Sequence, residues 1–420
     1  MRRLLLGLAA LCAVLAVLAL AIFLGAFERS VVDRSLAQPL SAEAMQALVP
    51  KGRYLVAAAD CFACHTQKDG PPWAGGMPFE TPLGTIYATN ISPDKTTGIG
   101  NYTRAEFHRA VRDGVGKHGY LYPAMPYTSY RELMPDDVDA MYAYLMTRAP
   151  IEQPNKPTTI PFPLDIRRFM TFWNLVNLRR DGFRLDAGKS AQWNRGSYVV
   201  NALGHCGECH TPRNLMMAMK RSQQLDGAVL EGIEAPNITP AGLAMLGFDQ
   251  ATLPHFMQTG LSAQGAMTYE MFDVVHYSTQ HLTAEDLAAM ATYLLDGDTA
   301  AAKPVVPVAV GPELSAKGRS VYLEACSACH GAAGEGIPHV AVPMATNASL
   351  RLASPRNVLR TVLDGLPAQD FPGLERMQAM PGFAGLLSDQ QVADLANWMR
   401  AGWGGRAPDV TPADVARLRP

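Results

Sequence analysis

The sequence lacks any run of five like charges, and its 36 Lys plus Arg nearly balance its 38 Asp plus Glu, for a net charge of −2. An electrostatic surface for the phosphates of nucleic acid is therefore missing, and we expect no nucleic-acid partner. Charged residues are few, at 18%, while 48% of the residues are hydrophobic. This composition excludes a disordered chain, and the scarcity of long apolar runs excludes a membrane protein with many spans.

The length of 420 residues is more than one hydrophobic core usually organises. It indicates two to four domains of roughly 100 to 150 residues each. Glycine and proline are plentiful, with 36 Gly and 31 Pro. Such a content is typical of long ordered loops between short helices.

One long apolar run lies at the N-terminus, where Arg2 and Arg3 precede the 24 residues of Leu4–Phe27. A signal-peptide core has about 7 to 15 apolar residues, whereas about 20 are needed to cross a bilayer. The run therefore predicts an uncleaved N-terminal anchor. A cleaved signal segment is the alternative, because Ser35-Leu36-Ala37 resembles a processing site. In either case the positive-inside rule predicts that the chain after residue 27 is exported.

Six of the seven cysteines form three copies of one pattern, and the seventh, Cys12, is apolar filler in the N-terminal run. The copies are Cys61-Phe-Ala-Cys64-His65, Cys206-Gly-Glu-Cys209-His210 and Cys326-Ser-Ala-Cys329-His330. The pattern is typical of covalent haem c attachment, in which the thiols become thioethers and the histidine binds the iron. The sequence therefore predicts three covalently bound haem c groups.

Two other chemistries use paired cysteines, namely a disulfide framework and a structural zinc site. A disulfide framework gives no reason for a histidine after every second cysteine. A zinc site gathers its four ligands from paired motifs, but these copies stand about 120 to 145 residues apart. Haem attachment explains all three copies and is preferred.

The segments around the three motifs also repeat, which is expected if each motif opens one domain. Each copy has a glycine and an aromatic residue before the motif and an amphipathic helix near its end, and each middle helix ends at a glycine. The earlier pairs are Gly52 with Tyr54, Gly196 with Tyr198, and Gly318 with Tyr322; the last helices carry Tyr144, Tyr293 and Trp398; the middle helices end at Gly114, Gly260 and Gly365. We expect each glycine of the first helix to permit close crossing by the last helix. The predicted fold is all-α, with three tandem cytochrome c domains.

The predicted layout separates these domains by proline-rich linkers. It comprises an N-terminal membrane anchor or signal segment at residues 1–27, domain one at 45–150, a linker at 151–190, domain two at 191–299, a second linker at 300–312, domain three at 313–406 and a tail at 407–420. The first linker contains an aromatic and basic helix, Phe162–Leu178, that either rests on a bilayer, docks a partner or packs between domains.

A sixth iron ligand separates a closed electron carrier from an open haem enzyme. Met125 and Met380 both lie in an Ala-Met-Pro segment before the last helix, and we predict them as ligands of the first and third haems. In the second copy the candidates are Met267 and Met271. Met271 is preferred, because it follows its histidine by 61 residues and Met125 follows His65 by 60.

Longer motifs resemble a known family. They are Thr81–Asp94, Leu121–Tyr127, Cys206–Asn214 and Val392–Trp398. On them the chain resembles the three-haem cytochrome c subunits of membrane-bound periplasmic alcohol, gluconate, sorbitol and related dehydrogenases. Met271–Gln280 is similar to the family segment that begins with the axial methionine of the second haem, which supports Met271.

The resemblance implies an electron carrier at the periplasmic face of the bacterial inner membrane. It would take electrons from a periplasmic dehydrogenase subunit of flavin or quinone type and pass them to quinone or a terminal acceptor, without oxidising the substrate itself. One alternative is a haem enzyme of peroxidase or oxidase type with one open iron. The other is the cytochrome module of a terminal oxidase.

Overall fold

The computed structural model describes residues 2–24, 34–179, 181–230, 232–297 and 302–420. The end of the predicted N-terminal segment, residues 25–27, and the start of the second predicted linker, residues 300 and 301, lie outside these ranges. The chain divides into two compact units. Unit 1 is the chain up to Arg184 together with Asn201–His205, and unit 2 is Leu185–Val200 with Cys206–Pro420.

Unit 1 holds the first motif and the N-terminal helix. Its helices are α1 (Arg2–Phe23), α2 (Ala42–Ala58), α3 (Cys61–His65), α4 (Arg104–Asp113), α5 (Tyr127–Tyr130), α6 (Pro135–Leu145) and α7 (Met170–Asn177). Its strands are β1 (Pro78–Thr81), β2 (Gly84–Tyr87), β3 (Val115–Gly116) and β4 (Gly119–Tyr120).

Unit 2 holds both the second and the third motif. Its helices are α8 (Ala191–Tyr198), α9 (Gly207–His210), α10 (Pro240–Leu246), α11 (Thr252–Thr259), α12 (Glu270–Tyr277), α13 (Ala284–Leu294), α14 (Pro312–Ala325), α15 (Ser327–His330), α16 (Arg356–Asp364), α17 (Asp389–Gly404) and α18 (Pro412–Ala416). Its strands are β5 (Ala228–Leu230), β6 (Ile233–Ala235), β7 (Leu261–Ser262), β8 (Gly265–Ala266), β9 (Gln369–Phe371) and β10 (Glu375–Met377).

Around each motif the first and last helices cross at the predicted glycine. The pairs are α2 with α6, α8 with α13, and α14 with α17. A Cβ atom on Gly52 would lie 1.9 Å from the Ala140 carbonyl oxygen, and one on Gly196 would lie equally close to that of Ala289. On Gly318 it would lie 2.3 Å from the Trp398 Cβ. The predicted close crossing is confirmed at all three positions, because no larger residue fits there.

Local sequence signals set where these helices begin and end. The side chains of Ser41, Ser190, Thr283 and Ser388 accept a hydrogen bond from the backbone N–H three residues later, as N-caps do. Thr283 and Ser388 each precede a first turn with an acidic residue, a combination that is typical of a helix start. The middle helices α4, α11 and α16 end at the predicted glycines, each with φ between 65° and 75°, a region that favours glycine over all other residues.

The fold is rich in helices, but it also contains short strands, whereas the sequence predicted an all-α fold. The described residues form five two-stranded antiparallel sheets, which pair β1 with β2, β3 with β4, β5 with β6, β7 with β8, and β9 with β10. These strands have only two to four residues, too few to show the alternating pattern from which a strand is predicted.

Among the described helices, α1 is the one long and apolar enough to cross a membrane, over Leu5–Phe23. It contacts α7 and the turn just before α7 in the same unit. The ring centroids of Phe23 and Phe169 are 5.5 Å apart, and Arg168 Nε donates a hydrogen bond to the Phe23 carbonyl oxygen at 2.5 Å. The predicted aromatic and basic helix is therefore formed in part, over Met170–Asn177, and it contacts the apolar helix.

The crossing glycines predict a sharp difference between two alanine substitutions in the third repeat. Gly318→Ala forces a Cβ into the Trp398 side chain and should lower the free energy of unfolding by about 1–3 kcal/mol. The matched control is Gly402→Ala on α17, where a Cβ meets nothing within 4 Å, and helix propensity should leave stability unchanged or raise it by up to about 1 kcal/mol. Thermal unfolding of both variants measures this; equal stabilities would contradict the steric argument.

Candidate haem sites

Each Cys-x-x-Cys-His motif forms one short helical turn. In the second motif, the N–H groups of Cys209 and His210 both donate to the Cys206 carbonyl oxygen, at 3.3 and 2.9 Å. The third motif repeats this arrangement from Cys326, with distances of 3.2 and 3.0 Å. The first motif is the helix α3. The two sulfurs and the imidazole of each motif therefore project from a single turn, as the spacing predicted.

All three motif histidines share an Nδ1 hydrogen bond with a backbone carbonyl. The distances are 2.7 Å from His65 to Thr89, 2.7 Å from His210 to Pro236 and 2.9 Å from His330 to Val342. A carbonyl oxygen only accepts, so the proton is held on Nδ1 and the lone pair is left on Nε2. Burial lowers the pKa of His65 and His210, which favours the neutral imidazole. This is the state in which histidine binds a metal.

The loop that supplies this carbonyl is built alike in the first two sites. Thr89 and Pro236 each precede an asparagine, and the side-chain oxygens of Asn90 and Asn237 accept the N–H two residues later at 2.9 Å. The turn fixes the direction of the preceding carbonyl. The sequence shows the shared Asn-Ile-Ser/Thr-Pro segment, but the role of its neighbouring carbonyl was missed, because backbone atoms leave no residue signal.

The first cysteine of every motif sits in surroundings that disfavour a thiolate. Burial raises the pKa of Cys61 and Cys206 to about 12 and that of Cys326 to about 11. A thioether sulfur carries no charge and therefore suits such buried positions. The seven cysteines all lie in the described ranges and form no disulfide, and the described residues contain no cluster of three His, Cys, Asp or Glu side chains suited to a metal ion. The motifs therefore fit haem c better than either alternative.

The hairpins align the methionine candidates of the first two repeats. Gly119 and Gly265 occupy the same register position in their hairpins, opposite Gly116 and Ser262. Met125 and Met271 then both follow six residues later.

Met267 instead takes the position of Leu121. Its N–H donates to Gly260 at 2.8 Å as that of Leu121 does to Gly114, and its side chain is only 5% exposed. Its place is that of a core residue. Met271 lies in the first turn of α12, whereas Met125 and Met380 lie outside the helices, and all three precede the last helix of their repeat. Met380 is held by backbone hydrogen bonds in both directions with Leu366.

Comparison with known proteins agrees with this geometry. A family model described as "Cytochrome c" matches residues 315–403, and one described as "Cytochrome C oxidase, cbb3-type, subunit III" matches residues 47–145. Together with the anchored histidines, these matches define the chain as a c-type cytochrome, whose domains bind haem c covalently.

Its relatives narrow the class further. The chain is 40% identical to the gluconate 2-dehydrogenase cytochrome c subunit of Pantoea cypripedii, over 90% of both chains. It is 36% identical to the cytochrome c subunit of alcohol dehydrogenase (quinone) of Gluconobacter oxydans, over 90% of this chain and 83% of that one. The chain belongs to the family of cytochrome c subunits of alcohol, gluconate and fructose dehydrogenases.

Two further matches mark the breadth of this similarity. The fructose dehydrogenase cytochrome subunit of Gluconobacter japonicus is 34% identical over 91% of this chain and 85% of that one. A nicotinate dehydrogenase subunit of Pseudomonas putida is 39% identical over 84% of this chain, but the chain spans only 30% of that protein's length. The other 70% of that longer protein has no counterpart in this alignment.

Proposed function

We propose that this chain carries three covalently bound haem c groups and transfers electrons from a periplasmic dehydrogenase subunit to quinone or a terminal acceptor. The observation that carries the proposal is the threefold repetition of one site, in which a Cys-x-x-Cys-His turn is joined to a histidine whose Nδ1 is anchored on a carbonyl. The middle site lies between the segments matched by the two family models and has the same geometry. This supports three tandem cytochrome c domains, with the predicted boundaries 45–150, 191–299 and 313–406.

The ligand assignment follows the repeats. The thioether bonds would be made by Cys61, Cys64, Cys206, Cys209, Cys326 and Cys329, and the axial pairs would be His65 with Met125, His210 with Met271, and His330 with Met380. Haem c supplies a reversible one-electron change at its iron. The cysteines and axial residues would hold the group, and the Nδ1 hydrogen bonds would keep each imidazole in one tautomer.

The names of the relatives favour a dehydrogenase partner. We propose that this partner is of flavin or quinone type. A terminal-oxidase module is the second candidate, because the family model that matches residues 47–145 is named for an oxidase subunit. The dehydrogenase is preferred, since its cytochrome subunits match along 90% of the chain. An open haem enzyme is less favoured, because each site has a methionine available.

The haem count tests the proposal directly. Wild-type protein assayed as pyridine haemochrome should contain three haems per chain. Replacing Cys206 and Cys209 by Ala should remove one haem and leave the other two attached, because the second site no longer offers a thiol to the porphyrin. The single change Cys12→Ala is the matched control and should leave three. A wild-type value of one or two would overturn the three-haem proposal.

The assignment of the second axial methionine predicts opposite results at two nearby positions. Met271→Ala should remove one Met-ligated haem from the near-infrared spectrum of the oxidised protein and lower one of its potentials, since methionine ligation raises the potential. Met267→Leu keeps an apolar side chain of similar volume in the core and should leave the spectrum unchanged. The reverse pattern would assign the ligand to Met267.

We also propose that α1 anchors the protein in the inner membrane with the haem sites on the periplasmic side. Several apolar side chains of the linker that contains α7 are exposed in the same unit, including Phe162 at 78% and Val176 at 69%. Arg167 and Arg168 lie between them in sequence. A segment that combines exposed apolar side chains with arginines is typical of one that rests at the lipid headgroups. We therefore propose that α7 lies along the membrane surface.

Anchoring predicts how the protein fractionates. The native protein should sediment with membranes and retain its own N-terminus, and replacing residues up to Phe27 by a cleavable signal should release soluble haem-loaded protein. Adding Phe162→Ser and Val176→Ser to that truncated form should abolish any remaining binding to lipid vesicles. N-terminal sequencing of the native protein decides between the two N-terminal alternatives, because a start near Gln38 would show cleavage and contradict the anchor.

A further inference from the structure

The three axial methionine segments differ in how their backbone is held. Met125 is followed by Pro126 and Met380 by Pro381, and a proline ring restrains the chain locally by fixing φ. Met271 has no proline beside it and is followed by Phe272. The second repeat therefore lacks the proline that the other two share, and Met271 is instead the second residue of helix α12.

The backbone just before Met271 is also strained. Tyr269 has φ 54° and ψ −142°, close to a region that is occupied almost entirely by glycine. A side chain in this conformation costs free energy, and it persists only where surrounding contacts hold it. Something outside the segment must therefore supply the restraint.

These contacts come from the third repeat. The Tyr269 hydroxyl lies 3.1 Å from Thr361 Oγ1 on α16. The ring of Phe272 packs edge-on against Phe371 of β9, with centroids 5.2 Å apart and planes at 85°. Phe371 is buried, and its ring fills the space where a Cβ on Gly260 would approach to 2.8 Å. Residues on both sides of Met271 are thus fastened to the third repeat.

Helix α16 also contacts the segment that supports His210. Asn357 lies one turn before Thr361 on α16; its Oδ1 accepts the N–H of Glu234 and its Nδ2 donates to the carbonyl of Glu234, both at 2.8 Å. Glu234 is two residues before Pro236, whose carbonyl oxygen holds His210 Nδ1. One helix face therefore contacts the supports of both proposed axial ligands of the second haem.

We propose that α16, together with Phe371, is a positioning element of the third repeat that sets the axial ligation of the second haem. The inference rests on the proposed ligation by His210 and Met271. Because potential follows axial ligand bonding and its surrounding hydrogen bonds, the second haem's potential depends on the docked third repeat. The two redox sites are therefore coupled through protein contacts, although each has its own motif.

Two near-isosteric variants of the full-length, haem-loaded protein test the methionine side. Tyr269→Phe and Thr361→Val each remove the same hydrogen bond while keeping the side-chain shape. Each should lower one of the three potentials and weaken the near-infrared charge-transfer band of one Met-ligated ferric haem. The double variant should show no additional shift, because both changes delete a single interaction.

A third variant tests the histidine side, and a fourth is the control. Asn357→Leu removes both hydrogen bonds to Glu234 and should shift the potential of the same haem. Arg351→Met weakens a different contact of the third repeat, since Arg351 Nη1 donates to the carbonyls of Met245 on α10 and of Lys303 in the second linker at 3.2 Å. It should leave all three potentials unchanged.

Met271→Ala identifies which spectral and redox component belongs to the second haem. If that component stays at its wild-type potential in the Thr361→Val and Asn357→Leu proteins, the positioning role is overturned while the proposed ligation stands. An equal shift in the Arg351→Met protein would also overturn it, because the effect would then be general loosening. If Met271→Ala itself changes no band, the proposed ligation fails and this inference fails with it.

Discussion

The hydrogen bond from each motif histidine to a backbone carbonyl is the interaction on which the rest of each site depends. An unrestrained imidazole exchanges its proton between two nitrogens, and the accepting carbonyl favours the tautomer whose free nitrogen is Nε2, the atom proposed to bind iron. The loop that bears the first carbonyl is fastened accordingly. Asn90 Nδ2 donates to the carbonyl of Ile151 at 2.7 Å, and the Asn90 N–H donates to Asn155 Oδ1 at 2.6 Å. The start of the predicted first linker thus folds back and supports the first haem site.

The three repeats meet this requirement by different means. The crossing of the first and last helices at a glycine is common to all, because it brings the two helices together at their shortest distance. An asparagine turn holds the carbonyl loop in the first two sites, whereas the third carbonyl belongs to Val342 and precedes Pro343. A proline follows the axial methionine candidate in the first and third repeats and is replaced in the second by contacts between repeats. One architecture is therefore maintained by local restraints in some places and by tertiary ones in others.

The second and third repeats lie in one compact unit, so the supports of their sites are shared. Helix α16 is itself held by a buried charge, because Arg400, only 1% exposed, donates to the carbonyls of Leu352, Ala353 and Ser354 in the loop that leads to this helix. Its guanidinium also contacts Asp409 at 3.2 Å. A guanidinium has enough donors to satisfy several carbonyls at once, which offsets the cost of burying its charge. Contacts within the third repeat thus hold α16, and α16 in turn contacts the second site.

The sequence by itself determined what depends on short spacing. The attachment motifs, the crossing glycines and the caps at Thr283 and Ser388 were all predictable, because each is decided by residues within a turn or by a side chain too large to fit. Spacing also favoured Met271, and the hairpin register supports this choice by placing Met267 in the core. Only the tertiary structure decided the partners of groups far apart in the chain: the carbonyls that hold His65, His210 and His330, the short hairpins, and the contacts of Thr361 and Asn357 with the second repeat. A backbone carbonyl has no residue identity, and a two-residue strand has no period, so neither leaves a pattern in the sequence that can be read before the chain folds.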